Sequence, residues 1–328
     1  MKHEIKYFGA LFNISFDCDL GRGDRITDDI WITNNKDFLK DNLLNSIISK
    51  MIGEIEVRTL LKADAYVYAT FDREIDLDKR EERLSILNKL IMHTISFLDC
   101  LWLLKDNAAN MELAFLEIKI DQYQSNVSSN SWTHYKFDAN GNADRDVLFC
   151  REEIRPLREF YRKSFLLPQE CDTLNQYTNF QPYGKSFGNI SRAFYFLSAA
   201  RTTPYLPVKI AHYCSCLETL FLREKQELSF KLPLRVACFL SDSPDNKLRI
   251  FKQLRNAYNI RSTSVHGLAV KPDIKVITDI SCDTDQLVRL VINKILKNEK
   301  ICNLFNEAKD VDFNEYMEKL IFKVTDNK

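Results

Sequence analysis

Arg261 and His266 are the side chains in this sequence best suited to chemistry at a phosphodiester. An imidazole takes or gives a proton near neutral pH. A guanidinium carries a fixed charge that orients a phosphate and stabilises the extra negative charge of its transition state. With an RNA 2′-hydroxyl as nucleophile, such a pair needs no metal and no cofactor. Phe251, Leu254, Tyr258 and Arg261 fall at i, i+3, i+7 and i+10, so Arg261 points where a core residue would. A guanidinium in that place is costly unless paired. On an earlier helix Ala211, Cys214, Glu218 and Phe221 share a stripe, which offers Glu218 as the partner. Two opposite charges pointing into one bundle form either a structural ion pair or a reactive site, and the residues leave both open.

The stretch Ser262-Thr263-Ser264-Val265 is one a helix tolerates poorly, and Gly267 is suited to end one. A break there is expected to return His266 towards Arg261. Along an unbroken helix, five residues would separate the two by about 140°. Lys247, Arg249, Lys252 and Arg255 precede the pair on the same helix and either guide an RNA backbone or form an ordinary solvated face. The candidate RNA contacts are Lys252, Arg255, Asn256, Tyr258 and Ser262. His212 lies off the face of Glu218, and His3, His93 and His134 are isolated, so packing is the expectation for each.

The longer string Tyr258-Asn259-Ile260-Arg261-Ser262-Thr263-Ser264-Val265-His266-Gly267 resembles the Tyr-x-x-Arg-Ser-x-x-Val-His-Gly signature of Apea-like HEPN domains. Upstream, Cys216-Leu217-Glu218-Thr219-Leu220-Phe221 resembles the Leu-Glu-x-Leu-Phe element of the same group, and Leu234-Arg235-Val236-Ala237 lies between the two. The resemblance covers about residues 190–300. It implies a small helical bundle that dimerises so that two Arg-x4–6-His motifs face each other. It also implies metal-independent endoribonuclease activity in phage defence, abortive infection or a toxin–antitoxin system. Arg261 and His266 would then be the catalytic pair and Glu218 its acidic support. Expected partners are RNA, a second copy of the chain, and a phage-derived trigger or antitoxin. The residue after the motif arginine is often Asn, Asp or His in the superfamily. Here it is Ser262, which leaves fewer polar groups for catalysis. One histidine per motif also argues for a dimer, since cleavage benefits from both a base and an acid. A catalytically silent HEPN module that binds nucleotide, RNA or a protein is the competing reading.

These residues need a helical scaffold, and the second half supplies one. Helices are expected at 190–201, 207–225, 231–241, 245–261, 283–298 and 312–323, with Pro207 at a helix start and Asp283 or Thr284 as a cap. The first half reads differently. Residues 5–16 and 112–122 alternate as strands, and further strands are expected at 30–33, 54–61 and 65–71. Helical stripes cover 38–52 and about 79–105. Asp138-Ala139-Asn140-Gly141 is turn chemistry between strand-like pieces at 132–137 and 146–150. Pro156, Pro168, Pro182, Gly184 and Gly188 punctuate a junction. The expectation is an α+β chain: a mixed α/β domain at 1–165 that senses or regulates, a linker at 166–188, and an all-helical HEPN-type domain at 189–328. Gly184-Lys185-Ser186 is not a phosphate loop, because Asn179 stands where the first glycine belongs.

Bulk composition fits this division. The 328 residues carry formal net charge +0. Lys and Arg number 24 against 30 acidic residues before position 189, and 22 against 16 from there on. Basic residues outnumber acidic ones by seven to two within 231–261, which points to an anionic partner. Nine cysteines without a CxxC pair give neither a disulfide framework nor a zinc array, and Cys100 and Cys238 read as small hydrophobes. Trp31, Trp102 and Trp132 read as core. The window Ile95–Leu104 is too short to span a bilayer and holds Asp99, and the Met1-Lys2-His3-Glu4 start has no leader character. A reduced cytoplasmic protein with no membrane association is expected.

Overall fold

A computed structural model describes residues 2–44, 46–130, 135–162, 188–224 and 226–323. The fold is α+β, as expected. It divides into two compact units, Met1–Lys136 with Asp144–Phe180, and Phe137–Ala143 with Gln181–Lys328. The expected 166–188 linker apart from Gly188, with Trp132, His134, Pro168, Pro182 and the Gly184-Lys185-Ser186 triplet, lies outside the described residues, as does half of the 132–137 strand.

In the first unit β1 (Lys2–Phe12) is central, paired antiparallel with β5 (Ala65–Glu74) and β6 (Asn110–Lys119). β3 (Asp24–Arg25), β4 (Trp31–Thr33) and β7 (Ser125–Asn130) complete a six-stranded sheet in the order β3-β4-β5-β1-β6-β7. A separate parallel pair joins β2 (Ile14–Phe16) to β8 (Val147–Phe149). Tyr7, Phe8, Gly9, Ala10 and Leu11 are all buried, so both faces of β1 are covered. One cover is α4 (Arg80–Leu101), whose window is long and apolar enough to cross a membrane by composition but is 67% buried within the unit. Trp102, just beyond it, is fully buried, and Asp99 pairs with Lys136 at 2.8 Å.

Three first-half expectations need correction. The Glu54-Ile55-Glu56-Val57 alternation is helix α3 (Glu54–Lys62), which follows α1 (Lys36–Phe38) and α2 (Ser46–Ile52). Leu60 of α3 is fully buried and Val57 packs on the cluster of Phe8, Tyr66 and Phe115, while Ile55 is 77% exposed, which is the one-sided burial of a helix. The expected 38–52 stripe is interrupted by a π-turn at Leu39–Leu43. β7 was not anticipated because Ser-Asn-Val-Ser-Ser-Asn is polar, and it forms the sheet edge beside β6. Two short helices, α5 (Arg151–Ile154) and α6 (Leu157–Arg162), follow β8.

The second unit is helical: α7 (Asn189–Arg201), α8 (Leu206–Phe221), α9 (Leu228–Leu240), α10 (Pro244–Val265), α11 (Ile274–Leu296), α12 (Glu299–Glu307) and α13 (Asp310–Phe322). Pro207 and Pro244 stand in the first turns of α8 and α10, where a missing N–H costs nothing. α11 begins nine residues earlier than expected. Its cap is Asp273, which accepts from the Val276 N–H at 3.0 Å; Asp283 and Thr284 sit mid-helix instead. Phe221, Phe239, Phe305 and Phe313 form an edge-to-face aromatic core across α8, α9, α12 and α13.

Phe137–Ala143, which the sequence places in the first half, belongs to this helical unit. Its turn is present: Asp138 Oδ1 accepts from the N–H groups of Asn140 and Asn142, and Gly141 adopts φ +83. A Cβ at Gly141 would meet the Pro204 carbonyl oxygen at 2.6 Å. Of the strand expected at 132–137, the described residues 135–137 are not in a strand; the Phe137 N–H donates to the Arg201 carbonyl instead. The fully buried Lys209 ammonium donates to the carbonyls of Phe137 and Ala200, at 3.2 and 2.8 Å. Ser281, also buried, donates to Ala139.

Candidate active site

Packing of α8 against α10 positions the motif. Leu206, Ile210 and Cys214 from α8 meet Ala257 and Ile260 from α10 and Ile277 from α11 in one apolar cluster. One turn beyond Cys214 on α8 stands Glu218, and the next residue of α10 is Arg261. Their side chains meet as expected, Arg261 Nη2 donating to Glu218 Oε2 at 3.2 Å. Both are partly buried, at 24% and 18% exposure. The contact is a single one. Arg261 Nε and Glu218 Oε1 are buried atoms with no hydrogen-bond partner among the described residues. Such atoms are costly to leave unmet, so the pair retains polar capacity inside the bundle.

Tyr258 lies one turn before Arg261, with the guanidinium 5.3 Å from its ring centroid. Burial first, and then the charge of Glu218, push the Tyr258 phenol up to about 12. Burial and the nearby Glu218 likewise raise the Cys214 thiol, with Arg261 opposing. Cys214 is therefore a neutral apolar neighbour rather than a nucleophile. Tyr258, expected among the RNA contacts, is 9% exposed and faces this inner cluster.

His266 is placed differently from expectation. The helix does not break within Ser262–Val265; it runs regularly to Val265, and His266 is its C-cap. Thr263 explains part of this, because its hydroxyl donates to the Asn259 carbonyl one turn back, at 2.9 Å, and is satisfied inside the helix. Gly267 then ends the helix at φ +68. Its N–H donates to Ser264 and that of Leu268 to Thr263, which closes a Schellman turn. At 100° per residue His266 leaves the helix about 140° from Arg261. It is exposed and shares an outward arc of roughly 100° with Lys252, Arg255, Asn256 and Asn259, all exposed. Ser262 is partly buried at the margin of this face. Arg261 faces inward and His266 outward, so one chain does not bring them together.

The other histidines among the described residues have structural surroundings. His3 is buried with Nδ1 3.2 Å from the Lys119 carbonyl oxygen, His93 contacts the Tyr161 hydroxyl, and His212 stacks on Phe196. Sequence reasoning missed two polar groupings. Asp285, fully buried, accepts from Tyr213 Oη at 2.7 Å and pairs with Arg289, a grouping the i, i+4 Asp–Arg spacing could have signalled. Asp283 accepts from Gln253 Nε2 at 2.9 Å beside a cavity. No group of three or more His, Cys, Asp or Glu that could hold a metal occurs among the described residues. No protein-family model, curated protein or solved structure matches this chain. The HEPN likeness therefore rests on the motif residues alone.

Proposed function

We propose that the helical unit is a metal-independent endoribonuclease of HEPN type, in which two copies bring together Arg261 of one and His266 of the other. The observation that carries this reading is the exposed imidazole at the end of α10. It lies on the arc of Lys252, Arg255, Asn256 and Asn259, at the end of the helix whose Arg261 is held by Glu218. The outward face suits an RNA backbone, and the imidazole lies where a phosphate tracking that face would arrive. The 2′-hydroxyl attacks its own phosphate, forming the 2′-O–P bond as the P–O5′ bond breaks; His266 takes the hydroxyl proton and the departing 5′-oxygen is protonated by water, leaving a 2′,3′-cyclic phosphate. Arg261 balances the developing charge, and Glu218 holds its guanidinium in one orientation.

A second copy supplies what one chain lacks. Val265 and Leu268 stand on either side of His266 in the chain, and Ile274 and Val276 open the next helix; all four are 43–70% exposed, apolar surface suited to a two-fold contact. Cytoplasmic location, action in phage defence or a toxin system, and restraint by the α/β unit, a trigger or an antitoxin belong to this proposal. The sequence resemblance supports them. The Arg261–Glu218 contact also favours a second reading, a silent module in which the pair is structural and RNA or nucleotide only binds. Incubating the full chain with total RNA in EDTA, beside His266→Ala, separates the two. The nuclease reading expects cleavage that survives EDTA and is lost in the variant. RNA retention without cleavage by either protein would select the silent module.

A further inference from the structure

A cavity of about 510 Å³ lies between the C-terminal end of α9, the first half of α10 and the second half of α11. That volume falls within the roughly 300–1,000 Å³ typical of small-molecule sites. Arg249, Lys294 and Lys297 line it against one carboxylate, Asp283, so its charge favours an anion. Lys294 is already engaged, donating to the Phe239 carbonyl at 2.6 Å with its ammonium 4.9 Å from that ring, where it closes the end of α9. Arg249 and Lys297, both exposed, are the cations placed to meet a ligand.

Another wall is apolar. Ile250 and Leu287 are buried, whereas Leu290 is 50% exposed at the cavity lip. The amides of Asn246, Gln286 and Asn293 also line the cavity, the last with its Nδ2 donating to the Arg289 carbonyl at 3.0 Å. Gln253 is fixed beside them, its Oε1 accepting from Arg249 at 3.4 Å and its Nε2 donating to Asp283. Inorganic phosphate would use the cations and leave the leucine wall wet. A ligand joining a phosphate to a flat base with polar edges uses all three kinds of lining.

We propose that this cavity binds a nucleoside monophosphate group, its phosphate on Arg249 and Lys297 and its base against Leu287 and Leu290. The group is either a free mononucleotide or the 5′-phosphorylated end of an RNA. The site is distinct from the Arg261–His266 motif and stands whether or not that motif cleaves RNA. The test is calorimetric titration of the full chain with AMP, GMP, CMP and UMP, with inorganic phosphate, and with an RNA hexamer with and without a 5′-phosphate. At least one mononucleotide or the phosphorylated hexamer is expected to saturate one site per chain, tighter than inorganic phosphate; the tighter of the two identifies the source. Arg249→Gln with Lys297→Gln should weaken binding at least tenfold. Leu290→Glu, a separate surface change, should weaken it as well, with thermal melts confirming that each variant folds. Absence of binding by every probe, or equal binding of inorganic phosphate, would overturn the proposal. So would loss of binding in Arg261→Ala with full retention in the cavity variants, which would move the nucleotide to the motif.

Discussion

At the scale of single residues, the Arg261–Glu218 contact is where a reactive and a structural role diverge. Each partner is partly exposed, so the ion pair contributes less than a dry one, while an orphaned guanidinium in the bundle remains costly. Glu218→Gln should lower stability by about 1–2 kcal/mol, read as a shifted denaturant midpoint. If Glu218 orients Arg261 for catalysis, the same variant should lower kcat more than it changes KM. A full cleavage rate in the destabilised variant would leave the pair a purely structural role. His212 gives a second residue-scale test. Burial, and then the Lys209 charge, lower its pKa, so the folded chain favours the neutral ring. The unfolded chain therefore binds more protons in the window below the ordinary histidine value, and stability should fall as pH drops through it. Melts between pH 7.5 and 5 should show this slope, and His212→Gln should lessen it, leaving the part due to His93, whose pKa burial also lowers. An unchanged slope in the variant would show that other groups govern the pH response.

Elements decide how much of the site the sequence could disclose. The stripes that put Glu218 and Arg261 on inward faces were readable because both helices are long and bury a continuous apolar side. The position of His266 was not readable in the same way. Low helix propensity in Ser-Thr-Ser-Val suggested a break, but a hydroxyl bonded one turn back and tertiary packing of α10 carry the helix through. Elsewhere, local alternation at 54–57 imitated a strand in what is a helix lying on the sheet's core, and the polar β7 lacked an apolar stripe. Asp283 looked like a cap because nothing local distinguishes a capping aspartate from one that serves a cavity mid-helix. Gly267 was readable, and its role is testable. Its φ is +68 and a Cβ there would meet no atom, so Gly267→Ala should cost about 1 kcal/mol through backbone strain alone. Amide exchange should quicken across the last turn of α10, and cleavage should fall with it. Unchanged exchange would mean that the Schellman turn does not hold His266 in place.

For the molecule as a whole, the helical unit is made from two stretches of chain, and that governs how it can be dissected. A fragment beginning at 189 leaves Lys209 and Ser281, both fully buried, without the carbonyls of Phe137 and Ala139. It should melt well below a version to which residues 135–143 are restored by a flexible linker. Equal melting would show that the turn segment is dispensable. Opposite placement of Arg261 and His266 within one chain makes a further demand on the assembly. Mixed subunits of Arg261→Ala and His266→Ala, each inactive alone, should regain up to about a quarter of full activity, since random pairing makes half the dimers mixed and each restores one of two sites. No recovery in confirmed mixed dimers would remove the shared-site arrangement.

The most direct test is the chemistry of the cut. Full-length protein in EDTA should cleave RNA to leave 2′,3′-cyclic phosphate ends, and a single 2′-deoxy substitution at the cleavage position should block the cut. His266→Ala should yield no such ends. Products with 3′-hydroxyl ends, or cutting indifferent to the 2′-deoxy substitution, would contradict 2′-hydroxyl attack and the role given to His266.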